Sequence, residues 1–328
     1  MIDSLTRGRR GGWRYALSAA AGLSFSACQS GAAVTPPSTA VVATQGPSTI
    51  AATTAPNLSV PDVEPLDSAA AIAVALNAAE RGIRDRNLSA DETARWGRAQ
   101  QRAYRALANH AELDDAVRVR LDSDVRAAFD LNVEARRAVV QHASTKPVSE
   151  PSATLPAWTI VDPLSASQLL GYYREAESAS GVPWQYLASI NLVETRSGRI
   201  VGSSTSGAVG PMQFLPATWE SCCAGDVLDP HDAILGAATY LVSRGAPADM
   251  IAALRGYNPN EGYVGAVDAY ARNMMADERA FFGYHAWEVY VSTSAGSVRL
   301  PVGYSASEPV DVIAYVATHP QDLAPVND

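Results

Sequence analysis

One glutamate, Glu194, occupies a position in which a carboxyl group could stay protonated near neutral pH. Pro183 suits the start of a helix and Gly198 lies just past its end, so the residues between them predict a helix. Leu187, Ile190 and Glu194 fall on one stripe of that helix. Burial on an apolar face and the negative end of the helix dipole both disfavour the ionised carboxylate. A carboxylic acid held in its protonated form is what general acid catalysis of glycosidic cleavage requires.

The helix spacing alone also fits a structural role for Glu194. Its carboxylate could pair with Arg196 or Arg199 at the end of the helix. The choice between the two interpretations depends on the residues that follow the helix.

Residues 204–219, here called the motif segment, combine glycines, one amide and apolar side chains, in the order Ser204-Thr-Ser-Gly-Ala-Val-Gly-Pro-Met-Gln-Phe-Leu-Pro-Ala-Thr-Trp219. Gly207 and Gly210 allow the backbone to approach a sugar closely. Gln213 offers both a donor and an acceptor to sugar hydroxyls or an N-acetyl group. Met212 and Phe214 are expected either to supply apolar surface beside the acid or to lie in the core, where Leu215 and Trp219 are expected.

A tyrosine–asparagine pair, Tyr257 and Asn258, follows some forty residues later. The Tyr257 hydroxyl could bind the Glu194 carboxyl or a substrate. Asn258 either contacts a substrate or only caps the turn before Pro259.

Together these elements closely resemble the lytic murein transglycosylases, relatives of goose-type lysozyme, in the Gly-Pro-Met-Gln-Phe branch that includes actinobacterial members. The family pattern has a glutamate, a serine about ten residues later, a Gly-x-Met-Gln-Phe run and a Tyr-Asn pair, and this chain has them in that order. The resemblance extends over about residues 155–305 and implies a mainly α fold. It implies a lysozyme-like catalytic domain at 164–305 that ends in a small β-hairpin, within 288–300.

The resemblance also implies an activity. Glu194 would cleave the β-1,4 bond between N-acetylmuramic acid and N-acetylglucosamine in peptidoglycan, as acid and then as base, with a 1,6-anhydro product. Substrate contacts are expected from six residues: Ser204, Met212, Gln213, Phe214, Tyr257 and Asn258. A lysozyme-like hydrolase of the same bond and a non-catalytic peptidoglycan-binding or scaffold protein remain alternatives. No cofactor or metal is implied, since the five histidines are scattered singly.

Helical periodicity also predicts a region ahead of the catalytic domain, at 66–145. Ile72, Leu76 and Ile83 share one helix face, and Ser89 with Glu92 forms a capping box that opens a second helix. We expect a helical hairpin or a three-helix arm, either a structural spacer or an arm that binds other cell-wall enzymes. Proline-rich residues 146–163 are interpreted as a linker and residues 306–328 as a loose tail.

The first residues resemble an export signal with a lipoprotein box. Residues 1–28 combine four arginines, a short apolar stretch and small residues ahead of Cys28, the predicted lipidation site. Cleavage near Ala27 or an uncleaved segment are the alternatives. Residues 29–65 read as a disordered linker. We therefore expect an exported protein at the outer face of the cytoplasmic membrane or in the cell wall, held to the membrane by its lipid.

Composition excludes other classes of protein. The 328 residues carry a formal net charge of −9. Removal of residues 1–27 takes away four arginines and one aspartate, which leaves −12. Such a chain is not built to bind nucleic acid, and no apolar 20-residue stretch follows the first thirty residues, which excludes a polytopic membrane protein. The adjacent Cys222 and Cys223 form either a vicinal disulfide, two free thiols or intermolecular bonds.

Overall fold

The computed structural model describes residues 65–108, 110–144 and 151–324. The predicted signal segment with Cys28 and nearly all of the predicted linker 29–65 lie outside the described residues. The described part is mainly helical, with short antiparallel strand pairs, as expected from the sequence. None of its helices is both long enough and apolar enough to cross a membrane.

Four helices occupy the predicted N-terminal helical region: α1 (Ala69–Arg84), α2 (Ala90–Ala106), α3 (Asp114–Arg118) and α4 (Arg126–Ser144). The predicted apolar stripe on α1 is buried, and Gly82 lets α1 approach the Trp96 ring on α2. The predicted capping box is present, since the Ser89 hydroxyl accepts the Glu92 N–H and the Glu92 carboxylate accepts the Ser89 N–H.

Seven helices follow: α5 (Ala166–Ser180), α6 (Trp184–Thr195), α7 (Pro216–Cys222), α8 (Pro230–Ser243), α9 (Met250–Tyr257), α10 (Glu261–Ala276) and α11 (Arg279–His285). Helix α6 is buried on most of its circumference, as expected of a helix enclosed by others. It packs against α5, α8, α10 and α11. This central helix carries Glu194.

The N-terminal helices do not stand apart from this bundle. Helix α4 lies along α10, α2 lies against α11, and their buried residues belong to one continuous hydrophobic core. A buried polar network crosses the same boundary, in which the Tyr284 hydroxyl donates to Asn132 and the Trp287 indole donates to Gln100. Periodicity predicted these helices. The shared core and the buried hydrogen bonds explain why they pack as part of the bundle.

A small second core is built from six short strands: β1 (Thr154–Leu155), β2 (Thr159–Ile160), β3 (Ile200–Val201), β4 (Val289–Thr293), β5 (Gly296–Leu300) and β6 (Val310–Asp311). Strands β4 and β5 form the predicted hairpin. The other strands pair as β1 with β6 and β2 with β3.

The ends of the catalytic domain differ from the sequence expectation. Part of the predicted linker forms β1 and β2 and buries Leu155 and Ile160. The predicted loose tail contains β6 and helix α12 (Val312–Thr318). The buried Asp322 fixes this segment to the rest of the fold. Its carboxylate accepts hydrogen bonds from the Arg299 guanidinium and the Tyr315 hydroxyl.

Candidate active site

The end of α6 is fixed to the motif segment by two polar side chains. The Thr195 hydroxyl donates to the Pro211 carbonyl at 2.7 Å, and the Asn191 amide donates to the same carbonyl at 2.8 Å. The helix stops because Arg196, Ser197 and Gly198 follow with φ values of 55, 62 and 87°. Glu194 therefore sits in the last turn of a buried helix, at a fixed distance from the motif segment.

The Glu194 carboxyl is enclosed without the partners that a buried carboxylate requires. Its Oε1 atom is buried and has no hydrogen-bond partner among the described residues. Desolvation raises the pKa of Glu194 from 4.5 to about 8, and a contact with the Tyr263 hydroxyl opposes that rise. The Tyr263 hydroxyl also lacks a hydrogen bond of regular geometry, so this contact is weak. The carboxyl is therefore held in its protonated form at neutral pH.

The predicted alternative, in which an arginine pairs with Glu194, is not found. The Arg196 guanidinium donates to the Leu192 carbonyl, and that of Arg199 donates to the His285 carbonyl. Burial lowers the pKa of both arginines. Within the described part of the chain, neither cation neutralises the carboxyl.

The motif segment forms a tight loop that faces the end of α6. Val209 and Phe214 exchange backbone hydrogen bonds of 2.8 and 3.0 Å, which closes the loop between them. Gly210 is required there, because its φ is 76° and a Cβ would lie 2.0 Å from the Val227 carbonyl oxygen. Gln213 adopts a φ of 51°, and its amide donates to the Gly210 carbonyl at 3.0 Å. The Gln213 amide nitrogen is therefore engaged within the loop, and its amide oxygen is the group left for a ligand.

Ser204 stabilises the start of the same loop. Its Oγ accepts the Ala208 N–H at 3.0 Å and the Ser206 N–H at 3.3 Å. The half-buried Ser204 hydroxyl still has a proton to donate.

The structure revises the expected roles of Met212 and Phe214. Both side chains are buried in the main core, so neither offers open surface to a ligand. Phe214 packs edge-on against Trp219, Tyr240 and Tyr257. Of the two positions considered from the sequence, beside the acid or in the core, both side chains occupy the core. Leu215 is half-buried and Trp219 is buried.

The Tyr257–Asn258 pair closes the site from the other side. The Tyr257 hydroxyl donates to the Met212 carbonyl at 2.6 Å rather than to Glu194. Its pKa is raised well above the usual value by burial and by the nearby Glu194 carboxylate. Asn258 is buried, and its Oδ1 accepts the Asn260 N–H across Pro259, the turn-capping role considered from the sequence.

Tyr263 lies at the site, although sequence reasoning assigned it no role there. Burial and the Glu194 charge raise its pKa well above the usual value, which places its hydroxyl beside the acid. Its N–H is capped by the Asn260 side chain at the start of α10. One sequence signal could have indicated this role. Tyr263 lies five residues after Asn258, in the first turn of the helix that begins directly after the Tyr-Asn pair.

Two further features lie near the site. Cys222 and Cys223 form a vicinal disulfide at the end of α7, one of the alternatives considered. Asp229, His231 and Asp232 place their ligand atoms within 4.8 Å of one another. Asp229 caps the N-terminus of α8, and the Asp232 carboxylate accepts the Asp226 N–H, so these side chains already serve the local backbone.

A helical bundle with a desolvated, unpaired carboxyl at the end of its central helix, facing a glycine-containing loop, defines a lysozyme-like domain. Residues 171–279 match the protein family described as "Transglycosylase SLT domain". These 109 of the 328 residues are similar to the SLT family of lytic transglycosylases.

One similar curated protein is the "Membrane-bound lytic murein transglycosylase F" of Thiobacillus denitrificans. The two are 26% identical over 151 residues, which cover 44% of this chain and 32% of the relative. The chain thus matches about a third of that protein's length. No solved structure matches the chain significantly.

Proposed function

We propose that this protein is a peptidoglycan lytic transglycosylase in which Glu194 is the only catalytic carboxyl. The observation that carries the proposal is the enclosed Glu194 Oε1 atom without a partner, whose surroundings raise the carboxyl pKa to about 8. General acid catalysis needs a proton on the acid at the working pH, and desolvation supplies that condition.

The first half of the reaction breaks the glycosidic bond. Glu194 donates its proton to the oxygen that bridges N-acetylmuramic acid and N-acetylglucosamine, and the bonding electrons leave with that oxygen. Positive charge develops at C1 of the muramoyl sugar. We assign its stabilisation to the N-acetyl group of the same sugar, because the nearby Asp229 and Asp232 are engaged in the start of α8.

The second half closes the sugar on itself. The Glu194 carboxylate removes the proton from the muramoyl C6 hydroxyl, and that oxygen forms a bond to C1. The product is 1,6-anhydro-N-acetylmuramic acid, and Glu194 regains the proton it donated. Water takes no part, so the loop at Gly210 and the tyrosines around the acid serve by enclosing the reacting sugar.

Ser204, Gln213, Tyr257 and Asn258 act in this scheme by position. The Ser204 hydroxyl and the Gln213 amide oxygen are the polar groups of the motif segment that a sugar can reach. Tyr257 and Asn258 lie on the other side of the site from the motif segment. The Tyr257 hydroxyl links that side to the motif segment by its hydrogen bond to the Met212 carbonyl. Met212 and Phe214 support the loop from within the core.

Digestion of purified sacculi, followed by mass analysis of the fragments, tests the proposal. We expect fragments that end in the anhydro sugar, and a greatly reduced yield of them with Glu194→Gln. Reducing ends would instead identify a lysozyme-like hydrolase. Bound muropeptides without new chain ends would identify a non-catalytic peptidoglycan-binding protein.

We also propose that Cys28 is lipidated and that the protein acts at the outer face of the cytoplasmic membrane. The membrane-bound relative named above and the residues ahead of Cys28 support this location. Fatty-acid labelling of the full chain tests it, with Cys28→Ser as the matched control. Equal labelling of both chains would contradict the assignment.

A further inference from the structure

A line of three fully buried polar side chains leads from α5 through α6 to the motif segment. The Tyr173 hydroxyl donates to the Asn191 Oδ1 atom at 2.6 Å, and the Asn191 amide nitrogen donates to the Pro211 carbonyl at 2.8 Å. The Thr195 hydroxyl donates to the same carbonyl at 2.7 Å. Because all three side chains are enclosed, the loss of any of these bonds leaves a buried polar group unpaired.

The Thr195 hydroxyl is directed to the motif segment rather than to its own helix. A threonine in a helix can donate to the carbonyl four residues earlier. Here that carbonyl, of Asn191, lies 3.4 Å from the Thr195 Oγ1 atom and accepts the Ser197 N–H. The Pro211 carbonyl is closer, at 2.7 Å. The single proton of the hydroxyl therefore bonds the motif segment.

Tyr173 determines which way the Asn191 amide faces. Its hydroxyl donates to the amide oxygen, so the amide nitrogen is left to donate to the Pro211 carbonyl and to the Thr195 Oγ1 atom. A reversed amide would place its oxygen against the Pro211 carbonyl and its nitrogen against the Tyr173 hydroxyl. Tyr173 thus selects the orientation that binds the motif segment.

The Pro211 carbonyl lies next to an unusual stretch of backbone. The following carbonyl, that of Met212, accepts the Tyr257 hydroxyl at 2.6 Å. Two consecutive carbonyls are therefore held by different helices, α6 and α9. The residue after them, Gln213, has a φ of 51°, a conformation that few residues other than glycine adopt. These two attachments fix the backbone from which the Gln213 side chain extends.

We propose that Asn191 and Thr195 are positioning residues for the cleavage reaction. They act through the Pro211 carbonyl, which sets the position of Gln213 relative to the Glu194 carboxyl. The inference rests on the proposed function, which assigns the Gln213 amide oxygen to a sugar and Glu194 to the scissile bond. Asn191 and Thr195 then affect the alignment of the sugar with the acid, and not the acid itself.

The variants Thr195→Val and Thr195→Ser test the proposal in the full chain. Valine has the shape of threonine without the hydroxyl, and serine keeps the hydroxyl. We expect Thr195→Val to lower kcat per folded molecule about tenfold to hundredfold, because a misplacement of about 1 Å has effects of that size. KM should stay near the wild-type value, and Thr195→Ser should retain most of kcat. Release of anhydro ends from soluble glycan strands measures both constants.

A double variant tests whether the two side chains act through one carbonyl. Asn191→Leu alone should lower kcat as Thr195→Val does. Asn191→Leu combined with Thr195→Val should lower kcat by less than the product of the two single effects, because residues that share a partner are not additive. Tyr173→Phe frees the Asn191 amide to reverse, so it should lower kcat by a smaller factor.

The pH profile separates positioning from an effect on the acid. Desolvation and the Tyr263 hydroxyl determine the pKa of Glu194, and Thr195→Val changes neither. The alkaline limb of kcat/KM should therefore stay at the wild-type pH in this variant, although the rate is lower. A displaced limb would refute the positioning role, since Thr195 would then act on the acid.

Thr93→Val is the matched control. Thr93 is buried on α2, and its hydroxyl accepts the Arg279 guanidinium of α11 at 2.9 Å. The substitution removes a buried hydroxyl in the same way, but this hydroxyl binds no part of the motif segment. Thr93→Val should lower the free energy of unfolding and leave kcat and KM per folded molecule unchanged.

Three results would refute the positioning role. Thr195→Val could lose stability and keep the wild-type kcat, as expected of Thr93→Val. Thr195→Ser could lose as much activity as Thr195→Val, or the change could be confined to KM. If Asn191→Leu does not fold, the two Thr195 variants decide, and if Thr195→Val does not fold, kcat of Tyr173→Phe decides. Absence of cleavage by the wild type would refute the proposed function instead.

Discussion

Two glutamates of this protein are enclosed by the fold, and they are treated in opposite ways. Glu80 lies at the junction of the N-terminal helices and the SLT domain. Its Oε1 accepts hydrogen bonds from the Tyr104 hydroxyl at 2.8 Å and the Gln100 amide at 3.0 Å, and its Oε2 pairs with Arg84. Glu194 has an enclosed Oε1 with no partner among the described residues.

The difference separates a carboxylate that supports the fold from a carboxyl kept for chemistry. The Tyr104 hydroxyl, the Gln100 amide and the Arg84 guanidinium compensate the desolvation of the Glu80 carboxylate. Glu194 has only a weak contact with Tyr263, so desolvation favours its protonated form. The hydrogen-bond partners of the two carboxyls distinguish them.

Glu194→Gln should have the largest effect on activity. We expect the release of anhydro ends to fall by about 10²–10⁴-fold, because an amide N–H is far too weak an acid to transfer its proton to the bridging oxygen. The variant should fold, since a neutral amide replaces a carboxyl that is already neutral at pH 7. Rates from sacculi digestion and an unfolding curve measure the two effects. Turnover near the wild-type rate would remove Glu194 from the mechanism.

Glu80→Ala should have the largest effect on stability. Removal of this carboxylate leaves Tyr104 and Gln100 without their acceptor and breaks its pair with Arg84, and breaking a buried pair in this way costs about 3–5 kcal/mol. Chemical denaturation measures the loss, with Glu134→Gln at the exposed Arg272 pair as the control that should change little. Cleavage per folded molecule should persist. A loss of activity without a loss of stability would contradict the assignment of Glu80 to the fold.

The sequence was most informative for features that depend on residues close together in the chain. The Ser89–Glu92 capping box was predicted from four adjacent residues, and the hairpin predicted within 288–300 is formed by β4 and β5. Helix α11 was not predicted, because it is seven residues long and its stability comes from the packing of Phe281 and Tyr284 in the core.

Contacts between distant segments could not be predicted. The resemblance drew attention to Glu194 and to the motif segment. Phe214 packs against aromatic residues from α7, α8 and α9, and the pairing of β1 with β6 joins residues more than 150 positions apart. The Tyr263 hydroxyl reaches Glu194 only once α10 packs on α6. The packing of Phe214, the strand pairing and the Tyr263–Glu194 contact all depend on packing between distant segments. The local periodicity of one segment cannot predict such packing.

The pH dependence of activity and of stability should both report the raised pKa of Glu194. Since the acid must be protonated, kcat/KM should fall about tenfold per pH unit above a pH of about 8. The stability follows the same group. Because the folded state holds the proton more tightly, its free energy of unfolding should decrease as pH rises from 4.5 to about 8, by up to 1.4 kcal/mol per unit. Glu194→Gln should lack this decrease. An alkaline limb near the ordinary pKa of glutamate would refute the desolvated acid.

The smallest effect is expected from Tyr263→Phe, which removes the weak contact with the acid. The Tyr263 hydroxyl lowers the pKa of Glu194, so its loss should raise that pKa and move the alkaline limb upward, by less than about one pH unit. The ring stays to enclose the carboxyl, and the lost hydroxyl made no regular hydrogen bond, so stability should change little. Tyr270→Phe on the same helix face serves as the control, because the charges that act on Tyr270 are Arg136 and Arg196 rather than Glu194. If the alkaline limb of the pH–rate profile moved downward in Tyr263→Phe, Tyr263 would stabilise the protonated acid instead. The raised pKa of Glu194 would then depend on a partner as well as on desolvation.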